Sequence, residues 1–488
     1  MREERYILVS LLTLILIALA SVSFGQYNIN CPALCISAVI LLTVTFLVYQ
    51  QNSIYKGLWY KPSNVFLLSF LIVNFQYVFD LVVGFKKYSS FDYPETVNKM
   101  SVLCSYGLLA FMIGYYISSS LLKKKKRFSE KAFETHVRID PIFISVVQVV
   151  LFGLWLLSVD YYALISGRAY GAVGHNRLAT FAELLFYCST LTLLVTVILN
   201  SRSLGQQKYK DFLQSISVVN WVVIGLYCII RMFSGDRGPF LYTVLAVFFA
   251  YVASTRVKIN LIKLILPAVG FILLMNLIGM ARKDSLSMSF GTRISNAYTE
   301  FMGTTEGRFS DKTILPGTDE LASSNLCNQI AINMVDYKGH PLHMGGYVVA
   351  EVVQCIPFVS SFLVNNLKIS DKDLSSNMMM TEEYVGRSDI YQIGTTVIAE
   401  SYFDFKTIGV ILMMLIVGWS FYRVDNGICI RNPDSELALM VFMLLASMAV
   451  YIPRATFFGQ LKNFVPMLVM FYISKILFQK KSRILKKH

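Results

Sequence analysis

Long apolar runs broken by short polar stretches recur from one end of the 488-residue chain to the other. A helix needs roughly 20 residues to cross a hydrocarbon core about 30 Å thick. Inside lipid every backbone N–H and C=O must find its partner within the segment or in a closed barrel, and runs of this length select helices. The pattern places spans at 6–24, 33–50, 63–84, 100–122, 141–159, 181–200, 212–232, 238–255, 261–280, 407–423, 436–452 and 461–478. It predicts an all-α polytopic membrane protein of about twelve transmembrane helices. A membrane domain over 1–280 holds nine, and a second over 407–488 holds three and ends in a basic tail.

Residues 281–406 interrupt this pattern with a polar segment carrying 15 acidic and 10 basic side chains. A stretch this long without spans is functional more often than it is a connector. Helical periodicity appears near 321–336, and an apolar stretch runs over 346–365, so the segment is expected to fold back over the membrane domain. Glu351, Gln354 and Pro357 interrupt that stretch. They predict an interfacial or re-entrant helix rather than a thirteenth span.

Composition agrees with a lipid solvent: 55% of residues are hydrophobic, 15% are charged, and the mean hydropathy is +0.56. The net charge of +14 raises nucleic acid as a partner, but the placement of the charge excludes it. Twenty-four Lys and Arg residues fall on the N-terminal tail, the loops 51–62, 123–140, 201–211, 256–263 and 423–435, and the C-terminal tail. Alternate loops rich in Lys and Arg mark the cytoplasm. Both termini are therefore predicted inside, with 281–406 extracytoplasmic between the ninth and tenth spans. The block Lys123–Arg127 is read as a topology anchor. The first run has a signal-peptide flavour, with Arg2 and Arg5 ahead of it, and is expected to be retained as an anchor because its loss would leave an odd number of spans.

Eight cysteines give no disulfide framework and no zinc spacing; Cys327 and Cys355 alone share the outer segment as a candidate pair. The acidic pair in Asp371-Lys372-Asp373 mimics a metal site but has no further ligands nearby, so no metal is expected. Under this topology Asp80, Asp160, Glu183, Arg231, Asp236, Arg237, Arg282 and Arg454 lie near the outer ends of spans. Ionisable groups at the hydrocarbon edge mark functional sites unless they merely snorkel. Arginine is the informative type, because its planar fork grips phosphate oxygens bidentately and stays charged at physiological pH.

Three segments then resemble those of one family. SGDRGPFLY (Ser234–Tyr242) is similar to a short Ser/Thr–Arg–Gly motif on the outer face of bacterial O-antigen polymerases and ligases. IGTTVIAESYFDFKTIGV (Ile393–Val410) resembles the segment that closes the large periplasmic loop in oligosaccharide repeat-unit polymerases, and YIPRATFFGQLK (Tyr451–Lys462) resembles their late Pro–Arg element. Together, over residues 210–475, they resemble the O-antigen polysaccharide polymerase (Wzy-type) family. Lys406 departs from the pattern, standing where the family usually has Gly, which is expected to loosen the turn into the next span. His340-Pro341-Leu342-His343 is not spaced as the ligases' His–Asn signature.

The resemblance implies a fold similar to the glycosyltransferase C superfamily. It also implies a reaction between two undecaprenyl-diphosphate-linked oligosaccharides at the outer face of the bacterial cytoplasmic membrane, with undecaprenyl diphosphate as leaving group. Arg237 and Arg454 are the expected main contacts of that diphosphate, Arg231 and Arg282 the helpers, and Asp236 orients Arg237. Glu400 is the first choice for a base, ahead of His175, His340 and His343, and is otherwise a structural partner of an arginine. Tyr161, Tyr162, Tyr170 and Tyr298 are candidates to hold sugars. No cofactor is implied, and a partner that sets chain length is left open. Two rival classes are an O-antigen ligase and a lipid-linked oligosaccharide flippase. The second calls for charge at mid-membrane and for repeats related by symmetry, and the sequence displays neither.

Overall fold

The structure, a computed structural model, describes residues 2–22, 28–52, 60–126, 141–161, 177–204, 208–234, 237–255, 318–356, 359–386, 393–429 and 436–485, with a few isolated positions besides. All regular structure among the described residues is helical. The first nine helices are α1 (Arg2–Val22), α2 (Asn30–Asn52), α3 (Pro62–Val83), α4 (Val97–Lys126), α5 (Ile142–Ser158), α6 (Arg177–Leu204), α7 (Tyr209–Gln214), α8 (Val218–Ser234) and α9 (Arg237–Thr255). Short helices fill the polar segment: α10 (Asp319–Ala322), α11 (Asn325–Ile332), α12 (Gly346–Gln354), α13 (Val359–Asn366), α14 (Asp371–Leu374) and α15 (Ser376–Val385). Then come α16 (Val397–Cys429), α17 (Glu436–Ser447) and α18 (Phe464–Leu485).

Helices stand at eleven of the twelve predicted spans; the stretch 261–280 lies outside the described residues apart from one position. Six helices among the described residues are long and apolar enough to cross a membrane: Asn30–Gln50, Pro62–Val83, Pro94–Leu121, Leu178–Ser201, Gly238–Thr255 and Val397–Asn426. Ile142–Ser158, Val218–Met232 and Glu436–Ser447 are apolar but shorter. The stretch 346–365, predicted not to span, is two short helices, α12 and α13.

The chain divides into two compact units. One comprises residues 1–130, 305–425 and 449–459. In it α1, α2 and α4 pack on one another, and α3 packs on α2 and α4. Phe66 stacks on Phe111 and meets Phe421, each at 4.8 Å between ring centroids, so aromatic mass fills the seam of α3, α4 and α16. α4 and α16 approach so closely that a Cβ on Gly418 would collide with the Phe111 carbonyl, and one on Gly114 with that of Leu415. Small residues permit this backbone approach, which is how helices associate in lipid without a hydrophobic driving force.

A buried polar knot closes one end of this unit. The Asp425 carboxylate accepts hydrogen bonds from Ser63 N (3.2 Å), Ser63 Oγ (2.5 Å) and Tyr115 Oη (2.7 Å), while Gln50 Nε2 donates to Ser63 Oγ at 2.8 Å. The polar segment is fastened at the opposite end. Asn328 Nδ2 donates to Asn74 Oδ1 (2.8 Å) and Thr318 Oγ1 to Gln76 Oε1 (2.6 Å), while Lys99 Nζ pairs with Asp336 at 2.6 Å. The described residues around Thr318, Asn328 and Asp336 therefore pack on α3 and α4, largely through amide and hydroxyl groups that would be costly to bury unpaired.

The other unit comprises residues 131–304, 426–448 and 460–488. Its core brings Phe152 and Trp155 of α5, Phe186 of α6 and Tyr227 of α8 together. Gln148 ties those helices further, donating to Thr190 Oγ1 at 2.7 Å and accepting from Asn220 Nδ2 at 2.5 Å.

Candidate active site

Two segments singled out in the sequence, 393–410 and 451–462, meet at a pair of buried carboxyl groups in the first unit. Phe405 and Lys406 leave helical geometry, so α16 has a short arm over 397–404 and a long arm from 407. Glu400 stands on the short arm, 2% exposed. It accepts from Ser376 Oγ at 3.0 Å, and the Glu351 carboxyl is its nearest acidic neighbour. Ser376 is itself held by Thr395 Oγ1 at 3.1 Å. Glu351, on α12 and 9% exposed, takes the backbone N–H of Gly459 on Oε2 at 3.0 Å. A Cβ on Gly459 would lie 2.8 Å from Glu351 Oε1 and closer still to Thr456 Oγ1, so any other residue here must push those side-chain ends aside. Glu351 and Glu400 thus form one buried acidic pair.

Asp404, four residues after Glu400, fixes α12 from its other end. Its carboxylate accepts the N–H groups of Tyr347 (3.3 Å) and Val348 (3.4 Å), and its backbone carbonyl accepts Met344 N at 3.2 Å. A carboxylate at a helix N-terminus satisfies orphan donors and is favoured by the helix dipole. The predicted His340 and His343 come next to each other here, their rings stacked at 5.6 Å, and His343 stacks on Tyr347 at 4.1 Å with Tyr347 Oη 3.1 Å from its Nε2. Burial, and then the neighbouring His340, hold the His343 imidazole below the usual histidine range against the pull of Asp373.

Asp336 gathers Lys99, Tyr402 (2.6 Å) and Lys406 (3.2 Å). Burial pushes its carboxyl up, and these three partners outweigh burial, leaving it below the usual carboxylate range. Lys406 adopts φ 50°, ψ −139°, a region glycine favours, and its side chain pairs with Asp336.

The arginines fall in different places. Arg454, half-buried in the first unit, follows a Val450 carbonyl that accepts Ser69 Oγ, lies 5.9 Å from the Tyr451 ring, and acts on the Cys327 thiol electrostatically. In the second unit Arg231, 2% exposed, turns its fork onto Glu183: Nε donates at 2.6 Å and Nη2 also pairs with that carboxylate. Tyr227 Oη donates to the same carboxylate at 2.7 Å, and Trp155 lies against the guanidinium at 5.5 Å. Arg237 opens α9, with its side chain outside what the structure describes. His175, Asp236, Arg282, Tyr162 and Tyr170 lie outside the described residues, whereas Tyr161 and Tyr298 are exposed.

One pairing is corrected. Cys327 and Cys355 are free thiols; Cys327 faces the Ile393 carbonyl, and Cys355 faces those of Glu351 and Phe458. Burial pushes the Cys327 thiol up to about 12, which removes the thiolate that disulfide exchange requires. Among the described residues no three His, Cys, Asp or Glu side chains gather to hold a metal ion, and Lys372 is paired with Glu382.

The family model of O-antigen polysaccharide polymerase Wzy matches residues 6–306 and 351–488. The chain belongs to this family. It is a multi-pass membrane protein. No curated protein and no solved structure matches it. Within this Wzy chain the matched residues include Glu351, Glu400, Asp404 and Arg454, whereas Asp336, His340, His343 and Tyr347 fall in the unmatched stretch 307–350. Sequence reasoning missed Glu351, which it read as a break in an apolar run. The available signal was that a Glu among valines must be paired or neutralised when buried.

Proposed function

We propose that this Wzy-family polymerase joins undecaprenyl-diphosphate-linked oligosaccharide repeat units at the outer face of the bacterial cytoplasmic membrane. The observation that carries the reading is the convergence on Glu351 of the loop-closing segment, through Glu400, and the Pro–Arg segment, through Gly459, 108 residues along the chain from Glu351. In this reading an acceptor sugar hydroxyl attacks the anomeric carbon of the growing chain. The bond from that carbon to the diphosphate oxygen breaks, and undecaprenyl diphosphate leaves with the electron pair. The hydroxyl proton passes to Glu400, the base of this reading. Arg454 stabilises the departing diphosphate, the electrostatic work that a fixed cation does well in a site kept dry. Arg237, oriented by Asp236, and Arg282 are carried forward as further diphosphate contacts on sequence grounds. Arg231, committed to Glu183, orders its helix instead. His175, His340 and His343 rank below Glu400 as bases.

The test needs only purified protein in detergent and undecaprenyl-diphosphate oligosaccharide, without nucleotide sugar or ATP and with a chelator present. The expected product is a ladder of multiples of the repeat unit with release of undecaprenyl diphosphate. A single unit transferred to lipid A with no ladder marks a ligase, and unaltered substrate moved across a bilayer marks a transporter. A ladder lost on chelation overturns the metal-free mechanism.

A further inference from the structure

Glu351 joins the Pro–Arg segment to the Glu400 arm: one oxygen holds the Gly459 N–H at 3.0 Å, and its carboxyl faces that of Glu400. Its helix, α12, is otherwise apolar on this stretch, with Val348, Val349, Val352 and Val353 around it. A glutamate with that neighbourhood is retained against its desolvation cost only where its partners are fixed. Here they are. Asp404 clamps the start of α12 to the arm that carries Glu400, and Cys355 Sγ, one turn beyond Glu351, approaches the Phe458 carbonyl at 3.8 Å. The remaining titratable groups facing the pair are Asp404 on the Glu400 arm and Tyr347, one turn before Glu351.

We propose that Glu351 is the positioning residue of this site: it ties the Arg454 segment, through Gly459, to Glu400, and so fixes the group handling the leaving diphosphate relative to the group handling the acceptor proton. The inference rests on the reading given under the proposed function. A structural glutamate alone would hold the fold but leave turnover per folded molecule untouched. A positioning residue acts on turnover, because misplacement by about 1 Å can cost on the order of a hundredfold in rate.

Three variants separate these cases. Glu351→Ala removes both ties. Glu351→Gln keeps them, its amide oxygen accepting from Gly459 and its NH2 donating to Glu400. Gly459→Ala disturbs the same tie from the other side, since its Cβ would displace the Glu351 carboxyl. Initial rates of ladder formation against substrate concentration, per folded protein, give kcat and KM. Hydrogen exchange reports the Gly459 amide independently of activity.

The expected result is a kcat drop of about tenfold to a hundredfold in Glu351→Ala with KM changed less, and recovery in Glu351→Gln to within roughly fivefold of the parent. The Glu351→Ala/Gly459→Ala double variant should be no worse than either single one, because both cut one tie. The Gly459 amide should exchange faster in Glu351→Ala and at the parent rate in Glu351→Gln. Unchanged kcat in Glu351→Ala, additive losses in the double variant, or parent-like amide exchange in Glu351→Ala each overturn the proposal. If the parent protein makes no ladder, the polymerase reading fails by itself, and the exchange measurement still decides whether the tie exists.

Discussion

Arg454 follows a proline in a single 3-10 turn, Ile452–Arg454, so its backbone is set before its side chain is considered. The Val450 carbonyl bound by Ser69 anchors one side of that turn, and Gly459 on Glu351 anchors the other. Such a held guanidinium offers a fork where a lysine offers a point charge. Arg454→Lys is therefore expected to lower the rate of ladder formation about tenfold, and Arg454→Ala by about a hundredfold or more, as for loss of one fixed donor to a developing anion. Product bands at matched amounts of folded protein check this, and a parent-like rate in Arg454→Ala would take the residue out of the site. At this scale the sequence was informative for Glu400 and Arg454, which sit in short patterns with glycine, proline and aromatics around them. It was silent for Glu351 and Asp404, whose partners are far along the chain: Asp404 meets the Tyr347 amide 57 residues away. Local spacing carries no record of such pairings.

Among the elements, α16 shows most clearly where pattern reading stops. Periodicity places its spanning arm near 407–423, and a helix is found there. What periodicity does not contain is the break at Phe405–Lys406, which turns the short arm so that Glu400 and Asp404 reach α12 and α15. A non-glycine residue in this backbone region costs about 1–3 kcal/mol. The compensating ion pair, with the Lys406 side chain 48% exposed, returns at most about 1 kcal/mol. Asp336 keeps Lys99 and Tyr402 without it. Lys406→Gly is thus expected to leave stability unchanged or raise it, whereas Lys406→Ala keeps the strain, loses the pair and lowers stability by up to about 1 kcal/mol. Thermal unfolding in detergent ranks the two; a glycine variant less stable than the alanine one would show that the turn costs nothing.

For the whole molecule, hydropathy and charge placement made the membrane class and the run of helices legible, because lipid permits so few backbone solutions. The packing of the polar segment was not legible in the same way. It is held by amides and hydroxyls such as Asn328 on Asn74, which leave no periodic trace. That docking has a consequence for topology. Asp425 and Ser63 lie at one end of the first unit, and Asp336 with Lys99 at the other. If loop 51–62, with Lys56 and Lys61, faces the cytoplasm, the end carrying Glu351, Glu400 and Arg454 faces outward. An impermeant maleimide on intact cells separates the two faces. A cysteine placed at Asn366, exposed in the polar segment, should label without permeabilisation, and one at Lys124 should label only after it. The opposite pattern would put the carboxyl pair on the side where nucleotide sugars are made. Lipid-linked units already flipped outward would then be out of its reach, and the proposed reaction would have to be abandoned even for a chain of this family.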